Sequence, residues 1–527
     1  MADDSPDDDR IDPRVEAEDL IESRRGDESA EMVGRAGTLV AGFWNTAQMV
    51  VPTFGTLIVS IIIGRFLGPS ELGEQSWIAY IEGLLVALII QTLVRTGIQT
   101  MSTARGAGDV TTYDALSRWI MWGQIAGGTV SALVLFLFGV FTDNSASWFL
   151  VSATSAANAI GWAYSVRIIS EKGWAPVAKR RLITQLLAQG IAAAAVVAGL
   201  GIAGVFAANL IAAVVLWVMV WRMSDPARGP YFPRVPRQLW RLWGMYLATE
   251  LLNQVVARRI EFLFLGALST RSELAMYSIS FAVISSVTTI PDSMVTAFLP
   301  SLAGRAGAGQ GSVVDDHLLP AIRVTLTLSV ALTAGLAVLS PRLITMLYGE
   351  DFALAGQLTA YMSLLVLFVP LFDLLDTYWG GYGRLGFPLI AVAIGGVVDL
   401  VLAFLLIGRY GAVGAVIANV SGQFVAALVL LGFTYRRLRH MRLDWPRYLL
   451  VIVVCLIAAG LGWWVLSLIP GLLGWLACFA TMLVVLLGFG TLIGFTSRAD
   501  GLWLRDSMPG KLQPFVRFYA GPIGSTD

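Results

Sequence analysis

Long, uncharged apolar stretches recur along almost the whole of this 527-residue chain. Leu449 to Ile469 is a clear example. Each stretch has roughly 20 residues, which as a helix is long enough to cross a hydrocarbon layer of about 30 Å. The composition agrees, because 56% of residues are apolar and 14% are charged, whereas soluble domains have about 25% charged residues. The runs are too long for the alternating segments of a membrane β-barrel. The sequence therefore predicts an all-α polytopic membrane protein.

The apolar runs predict about fourteen transmembrane helices in two six-helix bundles, followed by two C-terminal helices. The first 36 residues are strongly acidic and contain few bulky apolar side chains, which is typical of a disordered tail. The predicted segments are a disordered acidic cytoplasmic tail (1–36), an N-terminal six-helix bundle (37–223), a cytoplasmic linker (224–238), a C-terminal six-helix bundle (239–435), a basic cytoplasmic loop (436–447), two extra transmembrane helices (448–495) and a cytoplasmic tail (496–527).

The distribution of positive charge predicts the orientation. If both termini are cytoplasmic, about 29 of the 36 Lys and Arg residues lie on the cytoplasmic side. The only basic residues in the loops on the other side are Arg65, Arg271, Arg342 and Arg409. The sequence therefore predicts a multi-pass protein of the cell membrane with both termini in the cytoplasm.

An internal repeat relates the two predicted bundles. The stretch Gly201–Asn209 recurs in similar form as Gly411–Asn419, at the start of the sixth helix of each bundle. A Leu-Gly pair followed closely by Ser-Glu-Leu likewise occurs at 67–72 and again at 265–274. Because six is an even number of spans, the two copies enter the membrane in the same direction. Two parallel, pseudo-symmetric bundles around a central cavity are a transporter arrangement.

Several short motifs resemble those of a known family. Arg65 to Gly73 reads RFLGPSELG and is similar to a signature that follows the first helix of polysaccharide (oligosaccharide-lipid) flippases. Phe298 to Leu302, Tyr348 to Phe352, Gly383-Arg384 and the Gly-x-x-Gly-Ala opening at Gly411 resemble further motifs of these proteins. The resemblance covers roughly residues 35–495. These flippases belong to the multidrug/oligosaccharidyl-lipid/polysaccharide exporter superfamily.

The resemblance implies a V-shaped pair of bundles that works by alternating access and is not an enzyme. It also implies that the substrate is a polyprenyl-pyrophosphate-linked oligosaccharide, moved from the cytoplasmic to the outer leaflet for surface polysaccharide assembly. Expected partners are membrane lipids and the glycosyltransferases and polymerase of the same pathway, but no nucleic acid. The superfamily also contains peptidoglycan-precursor flippases and cation-coupled exporters of drugs or metabolites, which remain alternatives. A membrane glycan polymerase is disfavoured, because the predicted outer loops are short and lack His.

Polar residues inside the predicted spans are the candidates for substrate binding, because ionisable residues there normally face an interior cavity. Arginine binds phosphate oxygens through paired N–H groups and keeps its charge, so the three arginines within spans are the expected pyrophosphate contacts. The predicted substrate-binding set is Arg95, Arg258, Arg259, Gln91, Gln99, Asn45, Gln48 and Gln254. The alternative is structural: Arg258 could pair with Glu261 one turn along the helix, and Arg259 could brace a neighbouring helix.

Carboxylates in the second bundle are candidates for coupling transport to a cation. The predicted set is Glu250, Asp399, Asn419 and Asp292, with the first three as the preferred cluster by analogy with family members that bind Na⁺ between helices seven, eleven and twelve. The alternative is hydrogen bonding between helices. No cofactor is expected. Na⁺ or H⁺ is the candidate coupling ion. A metal site is not predicted, because the two cysteines lie in apolar runs and no ligand motif occurs.

Overall fold

The computed structural model describes residues 51–224, 237–251, 254, 260–307, 311–382, 384, 386–437 and 445–492. Within these residues the regular structure is entirely helical, which confirms the predicted fold class. Seven described helices are long and apolar enough to cross a membrane, or eight if one bent pair is counted as a span. Two of the seven, Val51–Gly106 with 56 residues and a second of 50 residues that begins at Gly386, are long enough to contain two spans each.

Glycines with positive φ divide these two long helical runs. Gly68 has φ 82° and Gly411 has φ 53°, a left-handed conformation that glycine adopts without the penalty other residues incur. The described residues then form fourteen helical segments. Their bounds are α1 (51–67), α2 (69–106), α3 (Val110–Val140), α4 (Ser145–Lys172), α5 (Ala175–Val197), α6 (Gly201–Trp221), α7 (Arg237–Leu251 and Ile260–Leu268), α8 (Arg271–Gly307), α9 (Gly311–Tyr348), α10 (Ala353–Met362 and Leu365–Gly381), α11 (386–410), α12 (411–437), α13 (Trp445–Leu468) and α14 (Gly471–Leu492).

Close helix packing inside each half depends on small residues, as is common between membrane helices. In the N-terminal half (α1–α6), α3 crosses α4 so closely that a Cβ on Gly128 would lie 2.2 Å from the Cβ of Ala159. In the C-terminal half (α7–α12), a Cβ on Gly395 would lie 2.6 Å from the carbonyl oxygen of Gly422 on the neighbouring helix. The last two helices, α13 and α14, pack against each other and against α9.

The two halves meet at the predicted outer end along a seam between α2 and the start of α8. A Cβ on Gly73 would lie 1.7 Å from the carbonyl oxygen of Arg271, so the two backbones touch. The Arg271 guanidinium contacts the Glu74 carboxylate at 2.7 Å and lies 5.0 Å from the Trp77 ring centroid. Nearby, the hydroxyl oxygens of Ser76 and Ser278 lie 3.0 Å apart.

A second seam at the same end joins α1 to the end of α9. The Ser60 and Tyr348 hydroxyl oxygens lie 2.5 Å apart. Arg65 donates from Nε to the carbonyl oxygen of Leu347 at 2.6 Å, and a second of its N–H groups donates to the Met346 carbonyl. Because both seams use residues of the flippase-like motifs, those motifs hold the halves together at one end.

The repeat glycines begin the last helix of each half with a similar positive φ, 60° at Gly201 and 53° at Gly411. The surroundings differ. The Glu273 carboxylate accepts the Ala412 backbone N–H at 2.7 Å, whereas the matching Glu71 is exposed. The two copies therefore share a backbone turn but not its capping side chain. The predicted domain bounds remain predictions, and the tails 1–36 and 496–527 lie outside the described residues.

Candidate functional site

The first cluster of predicted site residues lies where α2 of the N-terminal half meets α7 of the C-terminal half. Arg95 Nη1 lies 3.1 Å from Glu250 Oε2. The Arg95 side chain is 51% exposed, whereas the Glu250 side chain is 8% exposed. Gln254 Nε2 donates to the other Glu250 oxygen at 3.0 Å. The structure thus pairs a predicted phosphate ligand with a residue predicted to bind a cation.

Further polar contacts extend this cluster along α2. Tyr246 donates its hydroxyl to Gln99 Oε1 at 2.6 Å, and Trp243 Nε1 donates to Thr92 Oγ1 at 3.1 Å. We call Thr92, Arg95, Gln99 and their C-terminal-half partners the polar seam. A guanidinium has five N–H donors, and half of the Arg95 side chain remains exposed, so an anion can approach it.

A single π-helical turn, Val86–Gln91, precedes the polar seam on α2. The half-buried Gln91, another predicted substrate residue, ends this turn. Such turns contain one extra residue, are rare, and occur frequently at functional sites. The turn changes which face of α2 meets the C-terminal half from this point on.

Five predicted site residues cannot be placed. Asn45, Gln48, Arg258 and Arg259 lie outside the described residues, and Asp292 belongs to α8 but its side chain is likewise outside them. Their proposed roles stay predictions.

The second cluster of predicted site residues lies inside the C-terminal half. Asn419 on α12 donates from Nδ2 to Glu261 Oε1 on α7 at 2.5 Å, and the Asp399 carboxyl on α11 is within hydrogen-bonding reach of Glu261. All three are almost fully buried, with exposures of 0% for Glu261, 3% for Asp399 and 2% for Asn419. The structure therefore joins Asp399 and Asn419 as expected, but their partner is Glu261. Glu250, the predicted third member, lies in the polar seam instead.

This carboxylate cluster is chemically suited to a cation. Glu261 Oε2 and Asp399 Oδ1 are buried and have no hydrogen-bond partner within the described part of the chain. Two buried carboxyl groups in contact repel each other when both are ionised. They are stable when they share a proton or when a cation lies between them. The ligand atoms are all oxygens, which suit hard cations rather than transition metals. Among the described residues no group of three or more His, Cys, Asp or Glu could hold a metal ion.

Comparisons with known proteins bear on the whole fold. The family model described as "Lipid II flippase MurJ" matches residues 286–485, and the model described as "Polysaccharide biosynthesis protein" matches residues 150–355. A solved structure of the lipid II flippase MurJ in an inward closed conformation superposes with a TM-score of 0.69 at 14% identity, covering 85% of this chain and 98% of that one. The chain has the fold of the multidrug/oligosaccharidyl-lipid/polysaccharide exporter superfamily.

Other solved members of the exporter superfamily are also similar. A multidrug-resistance MATE family transporter matches in its inward-facing conformation (TM-score 0.57, 17% identity, 76% of this chain and 98% of that one). Another MATE structure, in an outward-facing conformation, matches with a TM-score of 0.54 at 16% identity, over 77% of this chain and 96% of that one. No curated protein sequence shows a significant match. The superfamily resemblance predicted from the motifs is confirmed, and at these identities the solved structures establish the fold alone.

Proposed function

We propose that this protein is a flippase that moves a polyprenyl-pyrophosphate-linked oligosaccharide from the cytoplasmic to the outer leaflet of the cell membrane. The half-exposed Arg95 between the two halves is the observation that carries the proposal. The prenyl chain can stay in lipid, but the sugar and pyrophosphate need a polar route through a layer about 30 Å thick. Both termini are cytoplasmic in this proposal, and the glycosyltransferases and polymerase of the same pathway are its partners.

In this mechanism, substrate binding changes the contacts in the polar seam between the two halves. A pyrophosphate that binds Arg95 competes with Glu250 for the same guanidinium. Glu250 is nearly buried and would then keep only Gln254 as a partner, which is costly for a buried polar group. Binding therefore weakens the contact between α2 and α7, and this links substrate capture to movement of the halves by alternating access.

The carboxylate cluster supplies the coupling in this proposal. Na⁺ or H⁺ binds between Glu261 and Asp399, with the Asn419 side chain as the third contact. These residues join α7, α11 and α12, so occupancy by the cation changes how the helices of the C-terminal half pack. Glu250 and Glu261 are eleven residues apart in the chain, so the ion site and the polar seam are connected through one short stretch of sequence.

A peptidoglycan precursor is the second candidate substrate. The match of residues 286–485 to the lipid II flippase model favours it. Both candidates are sugars linked to a lipid through pyrophosphate, so the role of Arg95 is the same. An exporter of organic cations is less compatible with the seam, because the exposed cation of Arg95 repels such substrates.

The test is head-group translocation by the purified protein in vesicles. Fluorescent polyprenyl-pyrophosphate oligosaccharide, a fluorescent peptidoglycan precursor and a cationic dye are compared under the same ion gradients. We expect movement of a lipid-linked sugar and not of the dye. Arg95→Gln should abolish this movement, whereas Arg222→Gln, at an exposed position after α6, should not. Transport of the dye alone would contradict the proposal.

A further inference from the structure

The N-terminal half contains a polar pocket that the mechanism above does not use. Its volume is about 200 Å³, and it lies between α2, α4, α5 and α6. Its polar lining consists of Glu82, Thr154, Asn158, Arg181, Thr184, Gln185 and Asn209. We call it the N-half pocket. A pocket with this many polar side chains is unusual in a membrane bundle, where such groups normally pair with one another.

Most of the hydrogen-bonding groups in the N-half pocket are not used within the protein. Glu82, Asn158, Gln185 and Asn209 have no hydrogen-bond or ion-pair partner among the described residues. The Arg181 guanidinium lies 3.8 Å from the ring centroid of Trp162, a cation–π contact that fixes its position. Glu82, Asn158 and Asn209 are half-buried and Gln185 is exposed, so a ligand can reach this set and supply the hydrogen bonds that the protein does not.

The charges of the N-half pocket indicate the kind of ligand. One carboxylate and one guanidinium leave the pocket formally neutral, and three side-chain amides offer both donors and acceptors. A pyrophosphate would be repelled by Glu82, and an organic cation would be repelled by Arg181. A neutral molecule with many hydroxyl groups can satisfy both charged groups and the amides.

Size and position point the same way. At roughly 30 Å³ per water molecule, the pocket has room for about six or seven waters, which is the space of a single sugar ring. Glu82 and Arg95 lie on the same helix, about 20 Å apart at 1.5 Å per residue. Arg95 faces the other half of the protein, whereas Glu82 faces the interior of its own half. A head group could therefore occupy both places with different parts.

We propose that the N-half pocket binds one neutral, hydroxyl-rich sugar unit of the transported head group, apart from the pyrophosphate that binds Arg95. This proposal rests on the proposed function and deepens it. The pocket then selects among glycans, while Arg95 recognises the pyrophosphate that all such substrates share.

Ligand binding to the full-length protein in nanodiscs tests this division. The probes are glucose and N-acetylglucosamine as neutral sugars, glucuronate as an acidic sugar, and inorganic pyrophosphate, each measured by saturation-transfer NMR. We expect the neutral sugars to bind better than glucuronate. Glu82→Gln and Gln185→Ala should each weaken sugar binding at least about tenfold and leave pyrophosphate binding unchanged. Gln185 is exposed at the rim, so its substitution leaves the packing intact.

Two controls make the outcome decisive. Arg95→Gln should weaken pyrophosphate binding and spare sugar binding, and Thr129→Ala, at an exposed position on α3, should change neither. Sugar binding that is absent, or equal in the wild type and both pocket variants, overturns the proposal. If lipid-linked substrate is still transported in that case, the proposed function stands. If the sugars bind as expected but no lipid-linked sugar is transported, the proposed function fails, and with it the assignment of the pocket to a head group.

Discussion

The two halves of this protein place polar groups at related positions but with different charge. In the C-terminal half, Asn419 donates to the buried Glu261 carboxyl group, which lies beside that of Asp399. In the N-terminal half, its repeat equivalent Asn209 lines a pocket with one acid and one base. The first set suits a small cation and the second a larger neutral ligand. The asparagine of the sixth helix is thus common to both halves, whereas the charged residues beside it differ: Glu261 and Asp399 in one half, and Glu82 and Arg181 in the other.

This division of roles requires that the halves move as separate bodies, which a cross-link can test. The Ser76 and Ser278 oxygens are 3.0 Å apart across the outer seam. Ser76→Cys combined with Ser278→Cys should form a disulfide under oxidising conditions and stop transport almost completely, because alternating access must open this seam. Transport is measured before and after reduction of the disulfide.

Two controls support the cross-linking experiment. Each single cysteine variant should transport normally under oxidising conditions. The native Cys455 and Cys478 are buried and should not react. Full activity of the cross-linked protein would show that the two halves do not separate at this seam.

Neutralising the carboxylate cluster should affect only the ion-dependent part of transport. Asp399→Asn keeps the shape of the side chain but removes a charge that a cation or proton would neutralise. We expect the response to an imposed Na⁺ or pH gradient to fall on the order of tenfold or more, within the usual range of coupling between sites. Initial rates with and without each gradient measure this. Glu71→Gln, at an exposed position, is the matched control, and an unchanged gradient response in Asp399→Asn would exclude the cluster as the coupling site.

The repeat glycines offer a paired test of how far the halves have diverged. Alanine at Gly201 meets open space and should lose only about 1–2 kcal/mol for its left-handed conformation. A Cβ at Gly411 would in addition lie 1.3 Å from Glu273 Oε2 and displace the carboxylate that caps α12. Gly411→Ala should therefore lower the melting temperature in nanodiscs more than Gly201→Ala. Equal shifts would mean that the Glu273 cap contributes no stability.

Removing the ion pair across the polar seam should have the smallest effect of these changes, and the effect is on pyrophosphate affinity. Glu250→Gln removes the charge that competes with phosphate for Arg95. An ion pair with an exposed partner contributes about 0.2–1 kcal/mol, so pyrophosphate should bind this variant more tightly, by at most about fivefold. Titration of the purified protein measures the affinity, with Glu71→Gln as the control. Weaker binding in Glu250→Gln would show that Glu250 helps to position Arg95 and does not compete with the phosphate.

Much of the fold could be predicted from the sequence, because apolar runs of span length and the recurring glycines report directly on helices and turns. The partners inside the sites could not. Glu250 and Glu261 lie on one predicted stripe of the seventh helix, eleven residues apart in the chain. Periodicity gives the face of a side chain and not its depth, so the sequence could not show that Glu261 is the one that lies beside Asp399.

The N-half pocket could not be predicted either, because Arg181 was assigned to the cytoplasmic positive charge. Arg181 lies close to the predicted cytoplasmic end of α5 and counts among the basic residues that set orientation. In the structure its guanidinium stacks on Trp162 and lines the pocket. Glu82 lies deeper in α2 than the other two acids of that helix, Glu71 and Glu74. Nothing in the sequence indicates a group that would share its site. Only the packing of four helices brings these residues together.

The π-helical turn of α2 gives one helix two separate duties. An α-helix advances about 100° per residue, so the extra residue at Val86–Gln91 rotates everything beyond it by that amount relative to Glu82. Deleting one residue there would restore a regular α-helix and swing Arg95 away from Glu250 while Glu82 kept its place. A one-residue length change in this helix would thus separate the proposed sugar pocket from the proposed phosphate contact without altering a residue in either.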